Sequence, residues 1–300
     1  MTPLQAALIR LDRPSLAVGT ATTLCYLHAC PVCGSSRCRH YVRVASLWNA
    51  REYITYERCD QCDVVFRNPR LPDAERVHKY VEKPLEVQQP NKPLSRIHYH
   101  YMLRNVRRLQ GKRPAGRLMD FGCGAGDFLI EARALGFDVM GLEVNRALAR
   151  DVQAKTNIPV FCGLVDDPAF AQETFDVVVS SQVFEHLTDP RRTLLSVTRH
   201  LRSGGILLVE VPNLSHFKER LRRGSTMDDS HLFYFNRRSL CALLESAGLR
   251  VRLVQEGLRP FRWTSRLGRT LPAAGVNAVQ QLASLCQLKT GLSIVATLDS

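Results

Sequence analysis

Nowhere in its 300 residues does this chain run for the roughly 18 uninterrupted apolar positions that a membrane helix needs. The opening segment, 1–28, is short of acid and has no basic stretch leading into a continuous apolar core. A secretory leader is therefore not expected, and the segment reads as an N-terminal arm. Internal repeats are absent, and so is the composition of collagen-like or disordered chains. Hydrophobic residues make up 45%, enough for a sizeable core in one large domain or in one medium domain with an appendage. Acid is in deficit: 28 Asp and Glu against 41 Lys and Arg leave a formal charge of +13. That balance favours anionic partners such as phosphorylated small molecules, nucleic acid or a membrane surface.

Cysteine, by contrast, is plentiful and unevenly spread. Ten are present, and Cys25, Cys30, Cys33, Cys38, Cys59 and Cys62 crowd the N-terminal part of the chain. Cys30-Pro31-Val32-Cys33 and Cys59-Asp60-Gln61-Cys62 form two Cys-x-x-Cys turns separated by 25 residues. Each turn presents two thiolates, and the hairpin between them can close one tetrahedral sulfur site, shut to water and hence structural. Paired turns of this kind point to zinc in a reducing compartment, which places the chain in the cytoplasm. Strand-like runs over 41–46, 53–57 and 64–67 complete a ribbon, with Cys38 and His40 as substitute ligands. Asn68-Pro69-Arg70-Leu71-Pro72 ends the pattern. The expected order is an arm over 1–28, a zinc ribbon over 29–72 and a basic, partly helical linker or lid over 73–113.

A different pattern governs 114–300. Strands are expected at 117–121, 138–142, 158–161, 176–180, 205–211, 249–255 and 292–298. Helices fall between them at 127–135, 146–156, 189–201 and 237–247, and an insertion occupies 257–290. The run Asp176-Val177-Val178-Val179-Ser180 is apolar on both faces, as a central parallel strand should be. The alternation predicts an α/β, doubly wound, mostly parallel seven-stranded sheet covered on both faces.

The chemistry concentrates in Asp120-Phe121-Gly122-Cys123-Gly124-Ala125-Gly126-Asp127, where a strand gives way to a helix through glycines. Glycine lets the backbone turn tightly and approach a ligand, while the helix N–H groups face it. The spacing is Gly-x-Gly-x-Gly behind an acid, not the Gly-x-Gly-x-x-Gly of dinucleotide sites. Glu143 follows the second strand, where an acid can accept both hydroxyls of a ribose. These residues resemble the class I S-adenosylmethionine-dependent methyltransferases. The resemblance implies a Rossmann-like methyltransferase sheet in which the loop, with Cys123 and Gly126, wraps the methionine part of the cofactor. It sets Asp120, Gly122 and Gly124 near the amino-acid moiety, Glu143 on the ribose and Asp166 or Asp167 near the adenine. The stretch 175–187 is similar to this family's fourth strand and following loop, which brings Gln182 to the cofactor. The ribbon, the Asn68-Pro69-Arg70 segment and an aromatic helical stretch over 80–101 together resemble a group of bacterial methyltransferases that act on sugars, lipids or natural products. Deoxysugar C-methyltransferases share such a ribbon and carry a further C-terminal domain.

Methyl transfer needs an acceptor held in line with the methyl group and a base where a proton must leave. Candidates are His186, beside Glu185 after the fourth strand, and His231, in the loop 228–234. Gln182-x-x-Glu185-His186 resembles the Glu-x-x-Glu-His motif of metal-assisted O-methyltransferases. Glutamine in place of the first acid weakens a magnesium-type site. Tyr99, His100 and Tyr101 are placed to cap the cofactor from the lid or to pack on the core. The expected acceptor is an oxygen or carbon of a small molecule, such as a glycan, lipid or secondary metabolite, an anionic one suiting the charge. The alternative is an RNA methyltransferase that grips phosphates with its ribbon and basic surface. Against it, no Asn-Pro-Pro-aromatic motif for base nitrogens is present. The basic residues are also dispersed between Arg104, Arg107, Arg108 and Arg113 and, far along the chain, Arg259, Arg262, Arg266 and Arg269.

Overall fold

A computed structural model describes residues 24–45, 53–72, 81, 93–215, 230–256 and 291–299. Residues 1–23 of the arm expected over 1–28, nearly all of 73–92 and the insertion 257–290 lie outside the described residues. Four short strands form one antiparallel sheet in the order β1 (Cys38–Ala45), β2 (Tyr53–Cys59), β3 (Val65–Arg67) and β9 (Phe233–Tyr234). The first three belong to the cysteine ribbon. The fourth corrects the expectation of a plain loop at 228–234: Phe233 and Tyr234 leave the larger domain to pair with Phe66 and Val65.

The larger sheet has seven strands in the order β10, β11, β8, β7, β4, β5, β6. In chain order these are β4 (Arg117–Phe121), β5 (Asp138–Glu143), β6 (Val160–Cys162), β7 (Phe175–Ser181), β8 (Leu201–Pro212), β10 (Leu249–Glu256) and β11 (Gly291–Leu298). The five strands from β6 to β8 are parallel, while β11 runs antiparallel to both β8 and β10. Helices α1 (Pro93–Gln110), α2 (Asp127–Ala134), α3 (Arg146–Thr156), α4 (Pro190–Arg199) and α5 (Arg237–Glu245) cover it.

Local chemistry sets the helix ends. Asn145 accepts the Leu148 N–H at 3.0 Å to start α3, and Asn157 closes that helix in a left-handed turn. Asp189 caps α4 with Pro190 at its first position, and Asn236 and Ser239 form a reciprocal capping box on α5. Strand β7 shows the two-faced burial of a central strand. Val177 and Val179 enter the core under α1, α2 and α3, while Val178 enters the core on the opposite face. That second core continues without a break into Cys30, Cys59, Cys62, Val64 and Phe66, so ribbon and sheet share apolar packing. Among the described residues no helix is long and apolar enough to cross a membrane.

Candidate active site

Strand order reverses between β4 and β7, and the crevice outside the carboxyl ends of parallel strands at such a point is where ligands bind. The glycine loop is drawn against β5 by two N–H groups, of Gly122 and Cys123, which donate to Leu142 O at 2.8 and 3.1 Å. Gly122, Gly124 and Gly126 all have positive φ. Space is as restrictive as torsion at the first of them, since a Cβ on Gly122 would stand 2.5 Å from Val183 Cγ2. Gly122→Ala is therefore expected to lower the melting temperature by several degrees, from a cost of about 1–3 kcal/mol, and to weaken cofactor binding. Adding Val183→Ala should recover part of both; a melting curve and an affinity unchanged by the single substitution would contradict the crowding.

The crevice has a volume of about 620 Å³, within the roughly 300–1,000 Å³ of small-molecule sites. Gly122, Gly124, Glu143, Asp166, Gln182 and His186 all line it. Glu143 is held before any ligand arrives: Oε2 accepts the Gly124 N–H at 3.0 Å and Oε1 the Asn145 N–H at 2.9 Å. Both oxygens keep further lone pairs for hydroxyl donors. The two candidate acids after β6 separate cleanly. Asp166 lines the crevice and pairs with Arg192 at 3.2 Å, whereas Asp167 caps the short helical turn Pro168–Phe170.

Asp120 lies just beneath the loop, 4% exposed. Burial, and then the charge of Glu143, push its pKa up to about 8. Cys123 and Gly126, expected at the cofactor, do not line the crevice. The Cys123 thiol is buried, so close to Gly141 that a Cβ there would be 2.7 Å from Sγ, and Gly126 starts α2.

Glu185, His186 and His231 converge beside the crevice; His186 lines it, and Glu185 and His231 do not. The His186 and His231 ring centroids are 4.8 Å apart at 65°, and one ligand atom from each of the three residues lies within 4.8 Å of the others. Such a group could hold a proton or a divalent cation. Glu185 is fully buried, and neither carboxyl oxygen has a hydrogen-bond partner among the described residues; His186 Nε2 stands 3.9 Å from Oε1. Burial pushes its pKa up to about 8, with the Glu210 charge adding to the rise.

The four expected cysteines come together. Cys30, Cys33, Cys59 and Cys62 have Sγ atoms all within 4.8 Å of one another, with Cys30···Cys62 at 3.6 Å and Cys33···Cys59 at 3.5 Å. A tetrahedron of zinc–sulfur bonds has edges of about 3.8 Å, whereas a disulfide needs about 2.05 Å. The donor set and its spacing fit a tetrahedral metal. Cys38 instead bonds Ser35 O, and His40 stands exposed on β1, so neither of these substitutes joins the four.

A polar row was not anticipated. Glu210, Ser181 and Ser293 lie side by side on three strands, Ser181 donating to Oε2 at 2.8 Å and Ser293 to Oε1 at 3.3 Å. His98 of α1 reaches the same Oε2 at 2.7 Å. The signal available was one acid in the apolar run Leu207-Leu208-Val209-Glu210-Val211. Of the aromatic stretch, Tyr99 packs edge-on against Phe128 and His100 pairs with Glu131 at 2.6 Å, which favours packing over capping.

The methyltransferase-domain family model matches residues 94–254. A probable S-adenosylmethionine-dependent methyltransferase of Mycolicibacterium smegmatis is 32% identical over 141 residues, 46% of this chain and 54% of that protein. A ubiquinone biosynthesis O-methyltransferase of Cereibacter sphaeroides is 34% identical over 102 residues, 32% of this chain and 41% of the relative. A trans-aconitate 2-methyltransferase of Deinococcus radiodurans is 31% identical over 121 residues, 39% and 46% respectively. The chain thus spans about half, or less, of the length of these curated relatives. Among solved structures, the plantazolicin methyltransferase BpumL in complex with SAH shares the fold, with a TM-score of 0.53 at 15% identity over 76% of this chain and 96% of that one. With the family model matched over more than half of the chain, on this sheet and glycine loop, the chain belongs to the methyltransferase-domain family.

Proposed function

We propose that this chain transfers a methyl group from S-adenosylmethionine to an oxygen or carbon of a small molecule, and that zinc on Cys30, Cys33, Cys59 and Cys62 holds its ribbon. The observation that carries the cofactor reading is Glu143, fixed by two backbone N–H groups at the mouth of the crevice and aimed where a ribose would lie. Gly122 and Gly124 give the methionine part close backbone, and Asp120 offers its buried carboxyl to the α-ammonium group. Asp166 and Gln182 line the adenine side and the methyl end of the same crevice. When bound, the cofactor supplies an electrophilic methyl group on a sulfonium. The chain's part is to hold the acceptor in line and to take a proton at His231 or His186, with Glu185 behind them. Relatives named for ubiquinone biosynthesis and for trans-aconitate support a small-molecule acceptor.

Asp120 makes the cofactor assignment testable without knowing the acceptor. A carboxyl with a pKa of about 8 is mostly protonated at pH 7, and an ammonium group beside it stabilises the ionised form. Binding should therefore release close to one proton at pH 7, and affinity should fall as pH drops below about 8. Calorimetry of S-adenosylhomocysteine binding in buffers of different ionisation enthalpy measures the release. Adenosine, which lacks the ammonium group, and the Asp120→Asn variant should both abolish it. Proton uptake, or a release that adenosine reproduces, would refute the role of Asp120. A screen of acceptors with labelled cofactor then tests the substrate class. Tight, strongly salt-dependent RNA binding, with labelled methyl appearing in RNA, would replace it with the nucleic-acid reading.

A further inference from the structure

We propose that the cysteine ribbon braces the acceptor side of the catalytic crevice from behind, its metal fixing His231 and His186 through Leu232. This rests on the zinc reading above. The second cysteine turn leads directly into Asp63, whose backbone is left-handed at φ 70°. Asp63 pairs with Arg58 and also accepts the side-chain N–H of Asn236 at 2.6 Å. Within the turn itself, Gln61 O accepts from Arg238 at 2.7 Å. The metal-bearing turn is thereby gripped by the first residues of α5.

From there the chain enters β3, which carries β9 as its outer neighbour. The decisive residue is Leu232, whose two backbone groups point to opposite partners. Its carbonyl accepts from Arg67 N at 2.8 Å, on the ribbon, and its N–H donates to Glu185 O at 2.7 Å, in the loop after β7. The neighbours repeat the link on both sides. Tyr56 of the ribbon donates to His231 O at 3.4 Å, and His186 Nδ1 bonds Ser230 O at 3.0 Å. Leu232, Phe233 and Phe235 are buried in the same core as Cys59, Cys62 and Phe66.

By contrast, residues of the ribbon do not line the crevice itself. Its described walls come from β4, β5, α3, α4 and the loops that follow β4, β5, β6 and β7. The two halves of the site are therefore built on separate supports. The cofactor side stands on the large sheet, and the two histidines stand between that sheet and the ribbon. A contiguous hydrogen-bonded chain of this kind transmits a loss of order at the metal to the residues at its end. Asp63, Tyr56 and Arg67 are on this view positioning residues for His231.

The test uses the full chain, with bound metal counted before and after treatment with a zinc chelator. About one equivalent of zinc should be present at the start. Its removal should cut hydrogen-exchange protection over 231–235 by about 100-fold or more and shift the ring resonances of His186 and His231. Affinity for S-adenosylhomocysteine should stay within about threefold. Asp63→Ala, which leaves all four cysteines in place, should keep the zinc and the cofactor affinity while shifting the same histidine signals. Asp63→Asn keeps an acceptor oxygen and tolerates the left-handed backbone, so it should restore them. Zinc removal that leaves 231–235 protected overturns this coupling alone, as does loss of cofactor binding in parallel with the metal. A folded protein that never contains metal overturns the zinc reading and the coupling with it.

Discussion

Replacing Glu143 with alanine is expected to weaken S-adenosylhomocysteine binding by about 100-fold. The parallel register of β5 between β4 and β6 brings this carboxylate to the carboxyl edge of the sheet, beside the glycine loop. It is 8% exposed, so a ligand that reaches it meets a poorly solvated charge. Hydrogen bonds to such a charge contribute about 1.5–3 kcal/mol each. Two ribose hydroxyls therefore bring at least about 3 kcal/mol, or roughly two orders of magnitude in affinity. The substitution also frees the N–H groups of Gly124 and Asn145, which the carboxylate now orders, and this adds to the loss. Glu143→Gln keeps the shape and one acceptor oxygen, and should fall between the two at about a tenfold loss. Calorimetry on the three proteins checks the series. An alanine variant that binds within threefold of the parent would remove the ribose assignment.

The parts of this site that could be read from sequence are those whose partners are close in the chain or repeated at fixed spacing. Arg117–Phe121 and Arg146–Thr156 fall where periodicity puts them, and the glycine loop is continuous over a few residues. The cysteine turns announce themselves through two matching spacings. Strand β9 was invisible because Phe233 and Tyr234 have no periodicity of their own, and the strand exists through pairing with Val65 and Phe66 far away in the chain. The same holds for Glu210. Its strand was legible, but the histidine that satisfies it stands on a helix before the first strand of the sheet. The third strand shows a local miss. A run expected at 158–161 pairs instead as Val160–Cys162, since Ile158 packs beneath α3 and Pro159 contributes its carbonyl to Gly141 N. Asp166 and Asp167 are adjacent and chemically alike, and the turn that Asp167 caps is what leaves Asp166 for the crevice.

Glu185→Met should make the protein more stable and, in the same step, disable it. The carboxyl is fully buried, with no hydrogen-bond partner on either oxygen among the described residues. A buried polar group in that condition costs about 1–3 kcal/mol, and methionine fills a similar volume without the cost. The melting temperature should therefore rise by about 4 °C. A protein that bears such a cost at a site shared with two histidines does so for a state in which the charge is used. That state arises when His186 or His231 carries a proton or a cation, for then a carboxylate behind the imidazoles lowers its energy. Methyl transfer to the acceptor should accordingly fall by at least about 100-fold, while S-adenosylhomocysteine affinity, set on the opposite side of the crevice, stays near the parent value. Glu185→Gln separates charge from volume: it should lose activity as the methionine variant does, without the gain in stability, because an amide in that pocket is no better partnered than the acid. Undiminished turnover in the methionine variant, or a melting temperature below the parent's, would show that Glu185 belongs to the packing of the loop and not to the chemistry beside it.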